Sequence, residues 1–118
     1  MEPVTFELVK FALDMQSAQQ KMAAKNIANA DFQTQMKLDF KQPLARLDAM
    51  NNEQRLDYLK VFNSNAGNIE SLEYDTGNAV DLATENSDST KAMLEFQALV
   101  EALNRRLSIK SLVLGAQK

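Results

Sequence analysis

The chain has neither histidine nor cysteine. That removes the commonest general base, the commonest neutral metal ligand, the thiolate nucleophile and any disulfide framework. What remains for chemistry is carboxylates, amides and scattered hydroxyls and lysines. Asp75, Asp81 and Glu85 lie close in sequence, but their spacing is not that of a calcium loop. Glu70 and Glu73 read as solvated surface. Gly67, Gly77 and Gly115 stand apart from one another, so no glycine-rich loop is available to cradle a phosphate. Without histidine or cysteine, no pairing of nucleophile and base can be argued from serine, lysine and aspartate. The residues therefore point away from an enzyme, a metal site, a cofactor or a small-molecule substrate.

The polar residues with a more specific reading are amides. Asn26 and Asn29 are three apart and share a helix face. One reading is helix fraying and a C-cap, since asparagine competes for nearby backbone groups. The other is that both amides hydrogen-bond the backbone of a neighbour. Arg105-Arg106 could touch phosphate, but an adjacent arginine pair on a helix is more often a solvated face or an ion pair. The net charge is −3 and no basic patch stands out, so nucleic acid is not an expected partner.

These groups must be positioned by two long helices, one at each end of the chain. Met93, Phe96, Val100, Leu103 and Leu107 step by three and four, and Leu114 continues the row past Lys110. A second row, Ala92, Leu99 and Val113, widens the stripe. Neither glycine nor proline falls between Val80 and Leu114, so a helix of roughly 30 residues, about 45 Å long, is expected there. At the other end Val4, Leu8, Phe11, Met15, Ala18 and Met22 step by four and three, with Pro3 in the first turn, and the row then slips to Ala23, Ile27 and Ala30. Each stripe alone reads as a helix in the core of an ordinary bundle; two matched terminal stripes in so short a chain shift the reading towards an intermolecular seam, because such a seam recruits partners. A charge placed in it, as in Leu103→Asp, is expected to abolish assembly.

Between the helices the period changes. Phe32, Thr34, Met36, Leu38 and Phe40 alternate with polar residues, the pattern of a half-buried strand over 32–40. Leu44 to Leu59 returns to helical spacing, weakened at Asn51-Asn52, so short helices over 44–60 are expected. Asn63 to Asn68 is turn chemistry, and Ile69 to Tyr74 reads as a second short strand pairing with the first. Asp75 to Asn78 forms another turn, and Asp81 is placed to cap the C-terminal helix. The expected fold is mainly α: long terminal helices over 1–31 and 78–118 paired as a coiled coil, with a small α+β middle segment over 32–77 containing a strand or short hairpin, all one structural unit. The N-terminus lacks a basic region followed by an apolar run, so no secretory signal is read, and no apolar stretch reaches the roughly 18 residues of a membrane span.

Two blocks carry a resemblance. Ala18-Gln19-Gln20-Lys21-Met22-Ala23-Ala24-Lys25-Asn26-Ile27-Ala28-Asn29-Ala30-Asp31 resembles the N-terminal signature of bacterial flagellar axial proteins, whose helix ends in Asn-Ile-Ala-Asn-Ala-Asp/Asn. Gly77-Asn78-Ala79-Val80-Asp81-Leu82 resembles the Gly-Asn-Thr-Val-Asp block of proximal rod proteins of the FlgB type. The Phe96-Gln97-Ala98-Leu99 segment is similar to their Tyr-Gln-Ala helix. Val100 to Asn104 and the Leu114-Gly115 ending also resemble the sister FlgC type. Order and spacing agree over about half of the chain. The family usually continues Thr-Pro-Gly-Tyr after the first block, where this chain has Phe32-Gln33-Thr34, and Ala79 replaces the family threonine.

The resemblance implies a structural rod subunit of the flagellar basal body, located in the periplasmic rod and exported through the type III apparatus without a cleaved signal. It implies paired terminal helices and stacking against self and other rod subunits, with ring and export-gate components as neighbours. The subunit-interface residues it suggests are Leu8, Phe11, Met15, Met22, Asn26, Ile27, Asn29, Asn78, Val80, Asp81, Met93, Phe96, Val100, Leu103, Leu107 and Leu114. The competing expectation is a small acidic export chaperone or adaptor that grips a partner helix. An ordinary α+β domain would instead show a deep apolar cavity with convergent polar groups.

Overall fold

The computed structural model describes the backbone of residues 3–116 and the side chains of residues 3–106. Helix α1 runs Pro3–Ala28, strand β1 Met36–Leu38, α2 Lys41–Ala49, α3 Asn52–Asn63, α4 Gly67–Glu70, β2 Glu73–Asp75 and α5 Glu85–Ala116. The fold is mainly helical, with one two-stranded antiparallel sheet, and both long terminal helices are present.

The core forms where the apolar rows converge. Leu8, Phe11 and Met15 of α1 are fully buried together with Leu47 of α2, Leu59 of α3 and Phe96 of α5. Phe11 sits at the junction: its ring lies 5.2 Å edge-on from Phe62 and 5.9 Å from Phe96. Phe40, which leads into α2, stands edge-on to Phe96 at 5.4 Å. Such aromatic edges add specificity to the area they bury. Phe11 faces Phe96, Gln19 bonds Ser89 and Asn26 bonds Glu85, so α1 and α5 lie side by side and antiparallel.

Four expectations need correction. The strand expected over 32–40 is shorter: Phe32 and Gln33 donate their backbone N–H groups to the Asn29 carbonyl in a turn that closes α1, and only Met36–Leu38 joins the ladder. The inward alternation holds from Met36 through Leu38 to Phe40, whereas Phe32 is 87% exposed. The second strand starts at Glu73 rather than Ile69, because Asn65 accepts from Gly67 N–H and seeds the single turn of α4. Tyr74 pairs with Lys37 across the ladder. The C-terminal helix begins at Glu85, not near Val80: Asp81 caps a preceding turn, its carboxylate accepting from Ala83 N–H and its carbonyl from Thr84 and Glu85. Finally, Ile27 does not continue the buried row; Asn26 takes the inner position and Ile27 is 38% exposed.

The weak point at Asn51-Asn52 is a true break. Asn51 caps α3 in a reciprocal box with Gln54, which accepts from the Asn51 N–H while Asn51 accepts from Gln54 N–H. The polar run Ser87 to Thr90 does not interrupt α5, which is continuous there.

Candidate assembly surface

The residues expected at a subunit contact divide into three groups. Leu8, Phe11, Met15, Met22, Phe96 and Leu103 are buried within this chain, and Met93 and Val100 pack half-buried against them. They hold α1 to α5 and to the middle segment. Leu103 is only 4% exposed, so Leu103→Asp strikes the fold of one chain before any contact between chains. Asn78 and Asp81 lie at the surface, and Asn29 and Val80 are half-buried. Leu107 and Leu114 lie outside the described side chains.

The two amides divide between their two readings. Asn29 donates to the Lys25 carbonyl at 2.9 Å, a local closure of the helix end. Asn26 is buried and does the longer-range work. Its Nδ2 donates to the Met36 carbonyl at 3.0 Å and its Oδ1 accepts from Met36 N–H at 3.0 Å, so the side chain pairs with β1 as another strand would. The same Nδ2 donates to Glu85 Oε1 at 2.7 Å, while Gln35 Nε2 donates to Glu85 Oε2 at 2.9 Å. Glu85, 3% exposed, is thus held by two amides and by its position as the first residue of α5, where the helix dipole favours an anion. This knot ties the end of α1, β1 and the start of α5 together.

A second buried polar group, Arg55, was not foreseen. Its Nε donates to the Leu47 carbonyl at 2.6 Å, with further bonds from the guanidinium to Asn52 Oδ1 and the Asp48 carbonyl. It closes the C-terminal carbonyls of α2, and burial lowers its pKa from the ordinary arginine value. Its signal in the sequence was its spacing with Leu59 and Phe62 on one face of α3.

The outward face of α1 is unusual. Phe6, Val9 and Leu13 are 59%, 43% and 60% exposed. With Gln16, Gln20, Ala24 and Ile27 they form a row at steps of three and four, opposite the buried row. No charged residue falls in it. The charges of α1 between Glu7 and Lys25 all fall on one flank, beside α3 and α4.

On α5 a separate feature opens. A groove of about 380 Å³ runs between α2 and α5, with Leu44, Leu99, Ala102 and Leu103 along it. Lys41 Nζ meets Glu95 Oε1 at 3.0 Å across one end, and Arg106 pairs with Asp48 across the other. Arg105 pairs loosely with Glu101, so both arginines of the pair are in ion pairs on an exposed face. Glu95 raises the Lys41 pKa by hydrogen bond and charge. Another cavity, of about 230 Å³ beside β1, has Gln35, Lys41, Glu85 and Glu95 in its wall. No group of acidic residues suited to a metal ion occurs among the described residues, and no helix there is long and apolar enough to cross a membrane.

Comparison with protein-family models, curated proteins and solved structures finds no match for this chain.

Proposed function

We propose that this chain is a structural subunit that polymerises through its terminal helices, of the kind that builds the rod of the bacterial flagellar basal body. Its partners are then further copies of itself and other rod subunits. The observation that carries the reading is the two-sided α1. One apolar row is consumed inside the chain, and a second, Phe6–Val9–Leu13, faces solvent on a face without charge. Solvent faces of helices ordinarily carry charge, and an exposed apolar row marks a contact surface. The flagellar assignment adds the two sequence blocks, whose residues fall at the α1 terminus and in the turn before α5. The antiparallel contact of α1 with α5, made by residues at three-and-four spacing, supports pairing of the two as a coiled coil.

The groove between α2 and α5 favours a second reading, an export chaperone or adaptor that grips one partner helix. The two differ in stoichiometry. A rod subunit adds copies without a fixed end, whereas an adaptor stops at a discrete complex. Sedimentation velocity from micromolar to millimolar concentration separates them: growth of the mass with concentration supports the subunit, and a fixed small species supports the adaptor. For the location, a tagged copy should be retained in detergent-extracted basal bodies of cells that encode it, and its absence there would overturn the flagellar assignment.

A further inference from the structure

We propose that the uncharged face of α1 on one copy docks in the α2–α5 groove of a second copy, so that copies join through two different surfaces. This rests on the reading of the chain as an assembling subunit and assigns the surfaces that make the joint. The groove selects its occupant by what it lacks. Its charges, Lys41 with Glu95 and Arg106 with Asp48, are already paired with each other at its two ends. Among the described residues a charged segment would find no free counter-charge there, while an apolar row covers Leu44, Leu99 and Ala102 without burying an unpaired charge. Among the described residues, the exposed apolar row at helical spacing is Phe6, Val9 and Leu13; the other exposed large apolar residues, such as Phe32, Val61, Leu82 and Leu94, stand singly.

The dimensions agree. Phe6 to Leu13 spans about 10 Å of helix, and Glu95 to Arg106, which bound the groove, about 16 Å. The row therefore fits between the two ion pairs. Row and groove share no residue and lie on different helices, so the contact is heterologous. Each added copy presents a fresh row and a fresh groove, and the assembly either closes as a ring or continues as a helix. One such joint is much smaller than the roughly 1,600 Å² of a stable dimer, so it is weak singly and gains from repetition.

The test uses Leu13→Asp, which breaks the row, and Leu99→Asp, which breaks the groove. Both side chains are substantially exposed, 60% and 40%, so the fold should survive, which circular dichroism verifies. Ala102→Glu is a second groove variant. Sedimentation velocity is expected to show wild-type chains growing with concentration and each variant alone weakened by roughly tenfold or more. Mixed in equal amounts, Leu13→Asp supplies an intact groove and Leu99→Asp an intact row, so a one-to-one dimer should form and grow no further. If both groove variants associate like wild type, the groove is not the acceptor: the inference fails while the subunit reading stands. A mixture that stays monomeric also overturns the inference. If wild-type chains remain monomeric at every concentration, the subunit reading fails with it.

Discussion

Replacing Asn26 by alanine should cost far more than an asparagine at a helix end usually does. Three hydrogen bonds are lost: two that satisfy the Met36 N–H and carbonyl, and one to the buried Glu85 carboxylate. A neutral bond contributes about 1 kcal/mol net and one to a charged group about 1.5–3 kcal/mol. Water can reach part of the Met36 backbone, which offsets some of the loss, so about 3 kcal/mol is expected. Urea unfolding followed by circular dichroism should show a midpoint lower by about 1–3 M, given slopes of about 1–3 kcal/mol per molar. Asn26→Asp preserves the shape but sets a second carboxylate against Glu85, so at neutral pH it should be worse than alanine. Hydrogen exchange should localise the damage to the Met36 amide and the first turn of α5. If both variants cost less than about 1 kcal/mol, the knot does not hold the helix ends together and the account of Asn26 is wrong.

Arg55→Lys keeps the charge but loses the fork that reaches Leu47, Asp48 and Asn52 at once, so a loss of about 1–3 kcal/mol is expected in the same unfolding assay. Phe96→Ala, at a fully buried site between Phe11 and Phe40, should cost about 3–5 kcal/mol. The hydroxyl of Thr34, and after it the Gly77 N–H, hold the Asp75 carboxyl below its ordinary value. Because the folded value is depressed, this contribution is full above the ordinary carboxylate pKa and is lost as pH falls through it to the folded value. Thr34→Val should raise the Asp75 midpoint in an NMR titration, and an unchanged midpoint would remove Thr34 as the cause. At Gly77, where φ is +75°, alanine should loosen the same turn through backbone strain, read as faster exchange of the Gln35 and Thr76 amides.

The two long helices and the buried rows along them were legible because burial enforces periodicity: Val4, Leu8, Phe11, Met15 and Met22 could not recur so regularly without a shared face. The start of α5 was not legible. The Asp81 turn delays the helix locally, and Asn26 and Gln35, fifty-odd residues away, draw the Glu85 carboxylate inward, a contact that no local pattern announces. The same holds for β1, whose length is set by the turn that Asn29 closes rather than by the alternation of Phe32 to Phe40. The regular row of α1, Leu8, Phe11, Met15 and Met22, is used within this chain. Two matched terminal rows in so short a chain set the expectation of an intermolecular seam, yet regularity reports burial and not who supplies the partner. The second row is diluted by Gln16 and Gln20 and so escapes a search for apolar repeats. Its legible mark is the absence of charge. The chain buries Gln19, Asn26, Arg55 and Glu85, the last three held by hydrogen bonds within it, while Phe6 and Leu13 stay in water. The buried amides, Arg55 and Glu85 serve one chain, and the exposed row is the part that the proposed assembly would cover.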